Sequence, residues 1–392
     1  MTADRHRNEP LNLVKELQSI LNLAEEDGGP LALATVVQLQ GSAYRRPGAR
    51  MLVSASGRSA GSISGGCLES DVRERAKNVM ATGQPVLVTY DSMSPADIVF
   101  GMGLGCNGIV QVLIESIPAE DGAGLLALLE RCRKSHQYGQ CATVFRAESP
   151  SGQQPVGERL LCWPDGRITG SISNPALQAA LIESLNGLAG RRVAIEAMEL
   201  SDNSSYGVLL ETIAPPIPLI VFGGGEDAIP LVQFAGQLGW HVTVIDARPA
   251  YALPERFPFA DAVLCMRHDA LNGFILPDES LIMIMTHNYE QDKELLRTLL
   301  PRGFRYIGIL GPKTRTRRLL GELEASGLQI CDDLLASLHG PAGLDIGADT
   351  PQEIAISILA EMQATIAQRP GTALRKRAGG IHEEQYPQLV AV

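Results

Sequence analysis

The sequence predicts a mixed α/β protein in which a duplicated α+β unit precedes a doubly wound parallel sheet. Two observations support this fold class. Residues 48–64 and 157–173 are identical at nine of 17 aligned positions, where composition alone would give about one, so one unit occurs twice. Beyond residue 218, short apolar strands alternate with helical stretches, which is the pattern of a parallel sheet covered by helices on both faces.

These patterns divide the 392 residues into successive segments. A proline-rich stretch separates the duplicated part from the alternating part, and a polar stretch ends the chain. The predicted segments are a duplicated domain at 1–211 with units at about 30–115 and 140–200, a linker at 212–218, a nucleotide-binding domain at 219–368 and a polar tail at 369–392.

Local patterns predict the elements of each segment. Apolar residues at helical spacing predict a helix over 11–26, and alternation predicts a strand over 31–40. The remaining elements of the duplicated part are strands at 51–53, 59–63, 85–90, 108–115 and 192–196 and helices at 67–82, 123–135 and 175–188. Ser56-Gly57 and Asp165-Gly166 mark matching hairpin turns in the two copies.

The second part has five predicted strands, at 219–222, 241–245, 262–264, 281–285 and 306–309. A late helix begins at Thr350, where threonine as N-cap, proline at the first helical position and Glu353 at the third form a capping box.

Composition excludes several functions. A net charge of −11 argues against a general nucleic-acid or membrane-surface binder. No stretch approaches 18 apolar residues and the first residues lack a signal-peptide core, so we expect a cytoplasmic protein without a membrane span. Seven cysteines without a CxxC pair argue against a disulfide scaffold or a structural zinc site.

The first copy carries a cysteine that the second copy lacks. Gly65-Gly66-Cys67 follows the shared Gly-Ser-Ile-Ser sequence, whereas the second copy continues with Asn174 and Pro175. This asymmetry predicts chemistry in the first copy and scaffolding in the second. Backbone N–H groups around Gly65 and Gly66 suit an anion, and a helix start favours the thiolate of Cys67.

Other residues join this predicted site. Arg45 and Arg50 lie just upstream and are candidate anion contacts, and a second glycine-rich loop at 101–108 carries Cys106. The alternative is that the glycines serve tight turns and the cysteines pack as small apolar residues.

A second site is predicted after the linker. Gly223, Gly225 and Ala228 fit G-x-G-x-x-A between a strand and a helix, and Asp246 ends the next strand. This spacing is the Rossmann dinucleotide-binding pattern, in which glycines admit phosphates and the acid binds ribose hydroxyls. Asp246 favours NAD or another unphosphorylated ribose, whereas Arg248 leaves NADP open. The alternative is a fold of this type without a ligand.

Two further segments follow strands at their carboxyl ends, where ligands bind in such sheets. His287 is an acid–base group, a substrate contact, or a loop residue that caps a backbone group. Lys313 and Arg315 are either phosphate contacts or a solvated helix start.

These motifs together resemble the XdhC/CoxI family of molybdenum-enzyme accessory proteins. The resemblance covers about 10–370 and is carried by Gly41-Ser42 with Arg45, Pro47–Met51, Gly61–Glu69, the Gly-Leu-Gly-Cys106-Asn-Gly loop, Phe222–Gly225, Val244–Pro249, Thr286–Tyr289, Gly308–Gly311, Gly343–Gly347 and Thr350–Ala355. It implies binding of the molybdenum cofactor, help with its sulfuration, and delivery to a xanthine dehydrogenase-like hydroxylase. The second loop departs from the Gly-Gln-Cys-Cys type and looks like the carbon monoxide dehydrogenase-associated branch.

Three functions are in competition, and the third and simplest of them is a nucleotide-sensing interaction protein. The first is a maturation chaperone for molybdopterin or its dinucleotide form, with a molybdenum hydroxylase client, a cysteine desulfurase as a further partner, and a nucleotide in the Rossmann domain. The second is an NAD(P)-dependent oxidoreductase with His287 as acid–base residue. The paired repeat units also suggest a homodimer.

Overall fold

The computed structural model describes residues 13–41, 44–91, 108–117, 124–150, 152, 155–170, 172–188, 192–267, 270–271 and 275–377. The chain divides into two compact units, and the break lies between Pro215 and Pro216. This break falls inside the predicted linker. Strands occupy both ends of the predicted 212–218 range, so residues 214–217 are the part of that range that lies between strands.

The first half of unit 1 is a five-stranded antiparallel sheet with one helix on its outer face. After a leading helix α1 (Leu13–Asp27), its elements are β1 (Leu31–Gly41), β2 (Arg50–Ser54), β3 (Ser59–Gly61), α2 (Glu69–Thr82), β4 (Val86–Asp91) and β5 (Gly108–Ile117). The strand order is β3-β2-β1-β5-β4.

The second half repeats this arrangement. After α3 (Leu125–Ser135), its elements are β6 (Gly139–Glu148), β7 (Arg159–Cys162), β8 (Ile168–Gly170), α4 (Pro175–Gly187), β9 (Val193–Glu199) and β10 (Ser205–Ile213). The order β8-β7-β6-β10-β9 matches the first sheet strand for strand, which confirms the duplicated α+β unit. The second copy runs to Ile213 rather than to residue 200, because β10 is the counterpart of β5.

The two sheets pack face to face. Val37 and Phe145 are each the extra residue of a bulge at the same point of their strands, and both lie in one apolar cluster between the sheets. Leu113 and Leu209 are also equivalent and join the same cluster. The outer faces are covered separately, by α2 in the first half and by α4 in the second. Unit 1 is therefore a helix–sheet–sheet–helix sandwich with internal pseudo-twofold symmetry.

Unit 2 is a six-stranded parallel sheet with helices on both faces. Its strands are β11 (Pro218–Phe222), β12 (His241–Asp246), β13 (Ala262–Cys265), β14 (Leu281–Ile284), β15 (Tyr306–Ile309) and β16 (Leu338–His339), in the order β13-β12-β11-β14-β15-β16. This order confirms the predicted Rossmann-like sheet. Strand β16 was not predicted, because two residues carry no periodic signal.

The helices of unit 2 are α5 (Ala228–Gln237), α6 (Tyr289–Leu299), α7 (Lys313–Ala325), α8 (Asp332–Ala336) and α9 (Pro351–Ile366). Helices α5 and α9 pack on one face of the sheet, and α6 and α7 pack on the other. The predicted capping box is present, with Thr350 accepting from the Glu353 N–H and Glu353 accepting from the Thr350 N–H. Within the described ranges, no helix is both long and apolar enough to cross a membrane.

Candidate functional site

The Cys67 thiol lies on an exposed loop just before helix α2. The helix begins at Glu69 with Leu68 as its N-cap, two residues later than the sequence predicts. The difference arises because the Glu69 carboxylate turns back on the loop. It accepts hydrogen bonds from the Ser64 N–H at 2.9 Å and from the Ser64 hydroxyl at 2.5 Å. The loop is thereby closed before the first helical turn.

Glu69 already provides this loop with an anion. Its carboxylate also accepts from the Leu68 N–H at 3.1 Å, and Ser62 donates its hydroxyl to it. Partial burial favours the neutral form, but these hydrogen bonds outweigh burial and hold the pKa of Glu69 below its usual value. In the predicted anion nest, the Ser64 N–H thus donates to Glu69 and the Gly66 N–H donates to the Ser64 hydroxyl at 3.1 Å, so the chain itself occupies both.

An open cradle remains at the tip of the loop. Gly66 has φ +110°, and a β-carbon there would meet no atom within 4 Å. A β-carbon on Gly65 would lie 3.6 Å from the ring of Tyr44, whose side chain is 70% exposed. The exposed residues Tyr44 and Cys67 thus lie next to this glycine pair, Tyr44 beside Gly65 and Cys67 directly after Gly66, while Arg45 is half-buried. Sequence reasoning did not select Tyr44, although an aromatic residue beside two arginines was a signal. Cys106 lies outside the described residues.

Arg50 does not belong to this opening. Its side chain is 3% exposed and donates to Glu211 at 2.5 Å and to the Gly48 carbonyl at 3.0 Å. Glu211 lies on β10 of the second half, so this ion pair joins the two sheets. The prediction made Arg50 a ligand contact, whereas the structure gives it a partner 161 residues away.

The second copy contains the reciprocal ion pair. Arg159 occupies the Arg50 position of β7 and binds Glu115 on β5 of the first half. Burial alone would lower the pKa of Arg159, but Glu115 more than compensates and raises it above its usual value. Arg50 and Arg159 are among the positions that both copies share, and that identity reflects packing about the pseudo-twofold axis.

The other cysteines of unit 1 that the structure describes differ from Cys67 in burial. Burial raises the pKa of Cys132 to about 12 and that of Cys141 to about 11. Desolvation also raises the pKa of Cys162. These thiols are held in their protonated form, so they pack as small apolar side chains.

The candidate nucleotide cleft lies at the carboxyl ends of the unit 2 strands. Gly223 has φ +113°, and a β-carbon there would collide with the Met285 carbonyl. A β-carbon on Gly225 would lie 2.5 Å from a carboxylate oxygen of Asp227, just before α5. Gly223 therefore has to be a glycine, whereas a β-carbon on Gly225 would only require the Asp227 side chain to move. The cleft is lined by Phe222, Gly223, Ile245, Asp246, Ala247, Met266, Arg267, Leu271, Thr286, Gln291 and Leu295.

Asp246 is buried and fully engaged. It accepts from the Gly224 N–H at 2.8 Å, and from the N–H, Nε and Nη2 of Arg248 at 2.8, 2.9 and 2.7 Å. Burial opposes ionisation, but these donors dominate and hold the pKa of Asp246 below its usual value. The acid and the arginine that the sequence selected thus form one unit.

His287 faces the glycine turn from the neighbouring strand end. Its Nε2 lies 2.8 Å from Asp227 Oδ2, and its side chain is 60% exposed. The residue adopts φ +58°, an uncommon conformation for histidine. Asn288, not His287, caps α6 by accepting from the Gln291 N–H.

Arg315 is committed to a buried carboxylate. Its Nη1 donates to Asp292 Oδ2 at 2.5 Å, and Thr286 donates to the other oxygen of Asp292 at 2.5 Å. Asp292 is 1% exposed, so Arg315 neutralises it rather than presenting its charge to a phosphate. Lys313 is the exposed first residue of α7. In the described part of the chain, no group of three metal-ligating side chains is placed to hold an ion.

Comparison with known proteins agrees with both units. Residues 219–362 match the XdhC Rossmann domain, and residues 24–91 and 132–196 match the XdhC and CoxI family, once in each copy of the repeat. The chain is 33% identical over 349 residues to a probable xanthine dehydrogenase subunit of Bacillus subtilis (strain 168), covering 88% of this chain and 96% of that protein.

Two further relatives extend over most of the chain. The molybdenum cofactor insertion chaperone PaoD of Escherichia coli (strain K12) is 24% identical and covers 91% of each protein. The crystal structure of a xanthine dehydrogenase from Bacillus halodurans superposes with a TM-score of 0.73 at 29% identity, covering 90% of this chain and 96% of that one. The chain therefore belongs to the XdhC and CoxI family.

Proposed function

We propose that this protein binds the molybdenum cofactor, as molybdopterin or its dinucleotide form, and assists its sulfuration and insertion into a hydroxylase of the xanthine dehydrogenase or carbon monoxide dehydrogenase type. The main support is the similarity to a molybdenum cofactor insertion chaperone along 91% of both chains. We further propose a cytoplasmic homodimer that works with the client hydroxylase and a cysteine desulfurase.

The loop of the first repeat fits such a cofactor. Gly66 leaves open space at its backbone, Tyr44 offers an exposed ring, and Cys67 offers an exposed thiol. A thiolate is a soft ligand, and an aromatic ring stacks on a flat heterocycle. Gly65, Gly66, Tyr44, Arg45 and Cys67 would hold the cofactor, which supplies the molybdenum centre when bound. Glu69 keeps this loop in place.

The test is client activity in a host that lacks its own accessory protein. Cys67→Ser should fold normally, because the side chain is exposed, yet should fail to restore the hydroxylase. Cys331→Ser is the matched control, since Cys331 is also exposed but lies in unit 2. Full client activity with Cys67→Ser would show that the Cys67 thiol is not needed for maturation. Purified wild-type protein that releases no fluorescent pterin on oxidation would contradict cofactor binding.

We also propose that the Rossmann domain binds a nucleotide. The glycine turn at Gly223 and Gly225 admits backbone approach, and the start of α5 favours phosphate. Calorimetry of the wild type with NAD, NADP, ATP and cytidine nucleotides tests this proposal. Gly225→Val should abolish binding while the thermal transition persists. Absence of binding for every nucleotide would refute it.

A second candidate function rests on one observation, the contact of 2.8 Å between His287 and Asp227 beside the glycine turn. Such a pair suits an NAD(P)-dependent oxidoreductase in which the carboxylate orients the imidazole. This alternative predicts substrate-dependent change of nicotinamide absorbance that His287→Ala removes. The maturation proposal predicts that His287→Ala still supports the client hydroxylase.

A further inference from the structure

We propose that the Rossmann cleft selects nucleotides that carry a phosphate monoester on the adenosine ribose, and that Arg248 is the residue that determines this specificity. The inference rests on the proposed nucleotide binding and narrows it to one ligand class. It departs from the sequence-based expectation, in which an acid at the end of β12 favours unphosphorylated ribose.

The first step is that Asp246 has no capacity left for ribose hydroxyls. Its Oδ2 accepts from the Gly224 N–H and from Arg248 Nη2, and its Oδ1 accepts from the N–H and Nε of Arg248. The side chain is 5% exposed. To reach this carboxylate, a ribose diol would have to displace a hydrogen bond in which both partners are charged and replace it with one in which only the carboxylate is charged.

The second step is that the Arg248 guanidinium is fixed by its neighbours while one edge of the group stays exposed. Asp246 binds Nε and Nη2, and the guanidinium lies 3.7 Å from the ring centroid of Tyr251. The Arg248 side chain is 48% exposed, and among the described residues none accepts from its Nη1. This preorganised fork suits a phosphate, which accepts two parallel N–H bonds.

The third step is the charge around the fork. Arg256 lies over the same Tyr251 ring at 5.0 Å and donates to the Gly224 carbonyl at 2.6 Å. Its other partner is Glu226, a mostly exposed carboxylate. Arg267 lines the cleft at the end of the neighbouring strand. Arg248 and Arg256 are each paired with a carboxylate, so the outward edge of Arg248 lies beside a second guanidinium, an arrangement that suits a phosphate better than a neutral ribose hydroxyl.

The experiment is calorimetric titration of the full chain with NADP, NAD, 2′,5′-ADP, 3′,5′-ADP and 5′-AMP at one salt concentration. We expect NADP to bind at least about tenfold more tightly than NAD, because a charge-assisted pair contributes that much discrimination. The two bisphosphates distinguish a 2′ from a 3′ phosphate. Arg248→Met should remove the preference and leave NAD binding equal or tighter, since Asp246 is then released.

Two variants complete the test. Arg248→Lys keeps the charge without the fork and should retain only part of the preference. Arg317→Met removes an exposed arginine of α7 and should leave every affinity unchanged. If NAD binds as tightly as NADP, or if Arg248→Met keeps the preference, the inference fails while nucleotide binding stands. If no nucleotide binds at all, the proposed nucleotide function fails with it.

Discussion

Replacing Arg50 by methionine separates the two roles that this residue has been given. The structure buries its guanidinium against Glu211, with exposed fractions of 3% and 4%. Methionine keeps the apolar stem but leaves the Glu211 carboxylate buried without its partner. Breaking one side of a buried ion pair costs about 3–5 kcal/mol, so we expect the free energy of unfolding of unit 1 to fall by that amount.

The measurement is urea unfolding followed by tryptophan fluorescence. Trp163 lies in unit 1 and Trp240 in unit 2, so a Trp240→Phe background reports on unit 1 alone. Arg159→Met, at the equivalent position, should cost a similar amount. Arg58→Met is the control, because its ion pair with Glu26 is exposed and should contribute little.

The double variant Arg50→Met/Glu211→Leu should recover most of the lost stability, because two apolar residues leave no buried charge. A destabilisation by Arg50→Met no greater than that of Arg58→Met would refute the structural role. If Arg50→Met instead loses bound cofactor while its unfolding free energy is unchanged, Arg50 contacts the cofactor as the sequence predicts.

Three further predictions follow from single residues. Gly61 and Gly57 both have positive φ, but only at Gly61 would a β-carbon collide with a backbone atom, the Arg50 carbonyl oxygen. Urea unfolding should therefore show that Gly61→Ala is about 1–3 kcal/mol less stable than Gly57→Ala. Equal losses of stability in the two variants would contradict the collision. Cys67 is exposed, so a thiol reagent should modify it in the native protein while the buried cysteines react only in urea; mass spectrometry after brief labelling decides this. Burial raises the pKa of Glu361, but hydrogen bonds, the largest from His339, lower it more and hold it below its usual value. The ionised Glu361 carboxylate therefore stabilises the folded state fully at neutral pH, and this contribution is lost as the pH falls below about 4.5. The difference in unfolding free energy between wild type and Glu361→Gln should shrink on acidification. A difference that does not change with pH would contradict this role of Glu361.

Much of the fold was predictable because the relevant signals are local. The hairpin turns, the capping box at Thr350 and the glycine turn at Gly223 each depend on residues within a few positions. The duplication was visible as shared identity. The end of the second copy was missed, because the similarity of Val208–Ile213 to Val112–Ile117 is only six residues long, with four identities, and the place of β10 in the sheet makes the equivalence evident.

The candidate sites were predictable in position but not in detail. Asp246 and Arg248 are two residues apart, yet the sequence could not show that they bind each other and so change which ribose the cleft suits. The same holds for Glu69, whose carboxylate fills part of the anion nest predicted beside it.

Taken alone, the sequence determined the fold class, the repeat, the family and the exposed Cys67 loop, since periodicity, turn residues and shared motifs are carried by neighbouring residues. Only the tertiary structure decided which charges are available to a ligand. Arg50 finds Glu211 from the other copy, and Arg315 finds Asp292 from another helix. A charged side chain is free or committed according to partners that folding brings from far along the chain, and no local pattern records that choice.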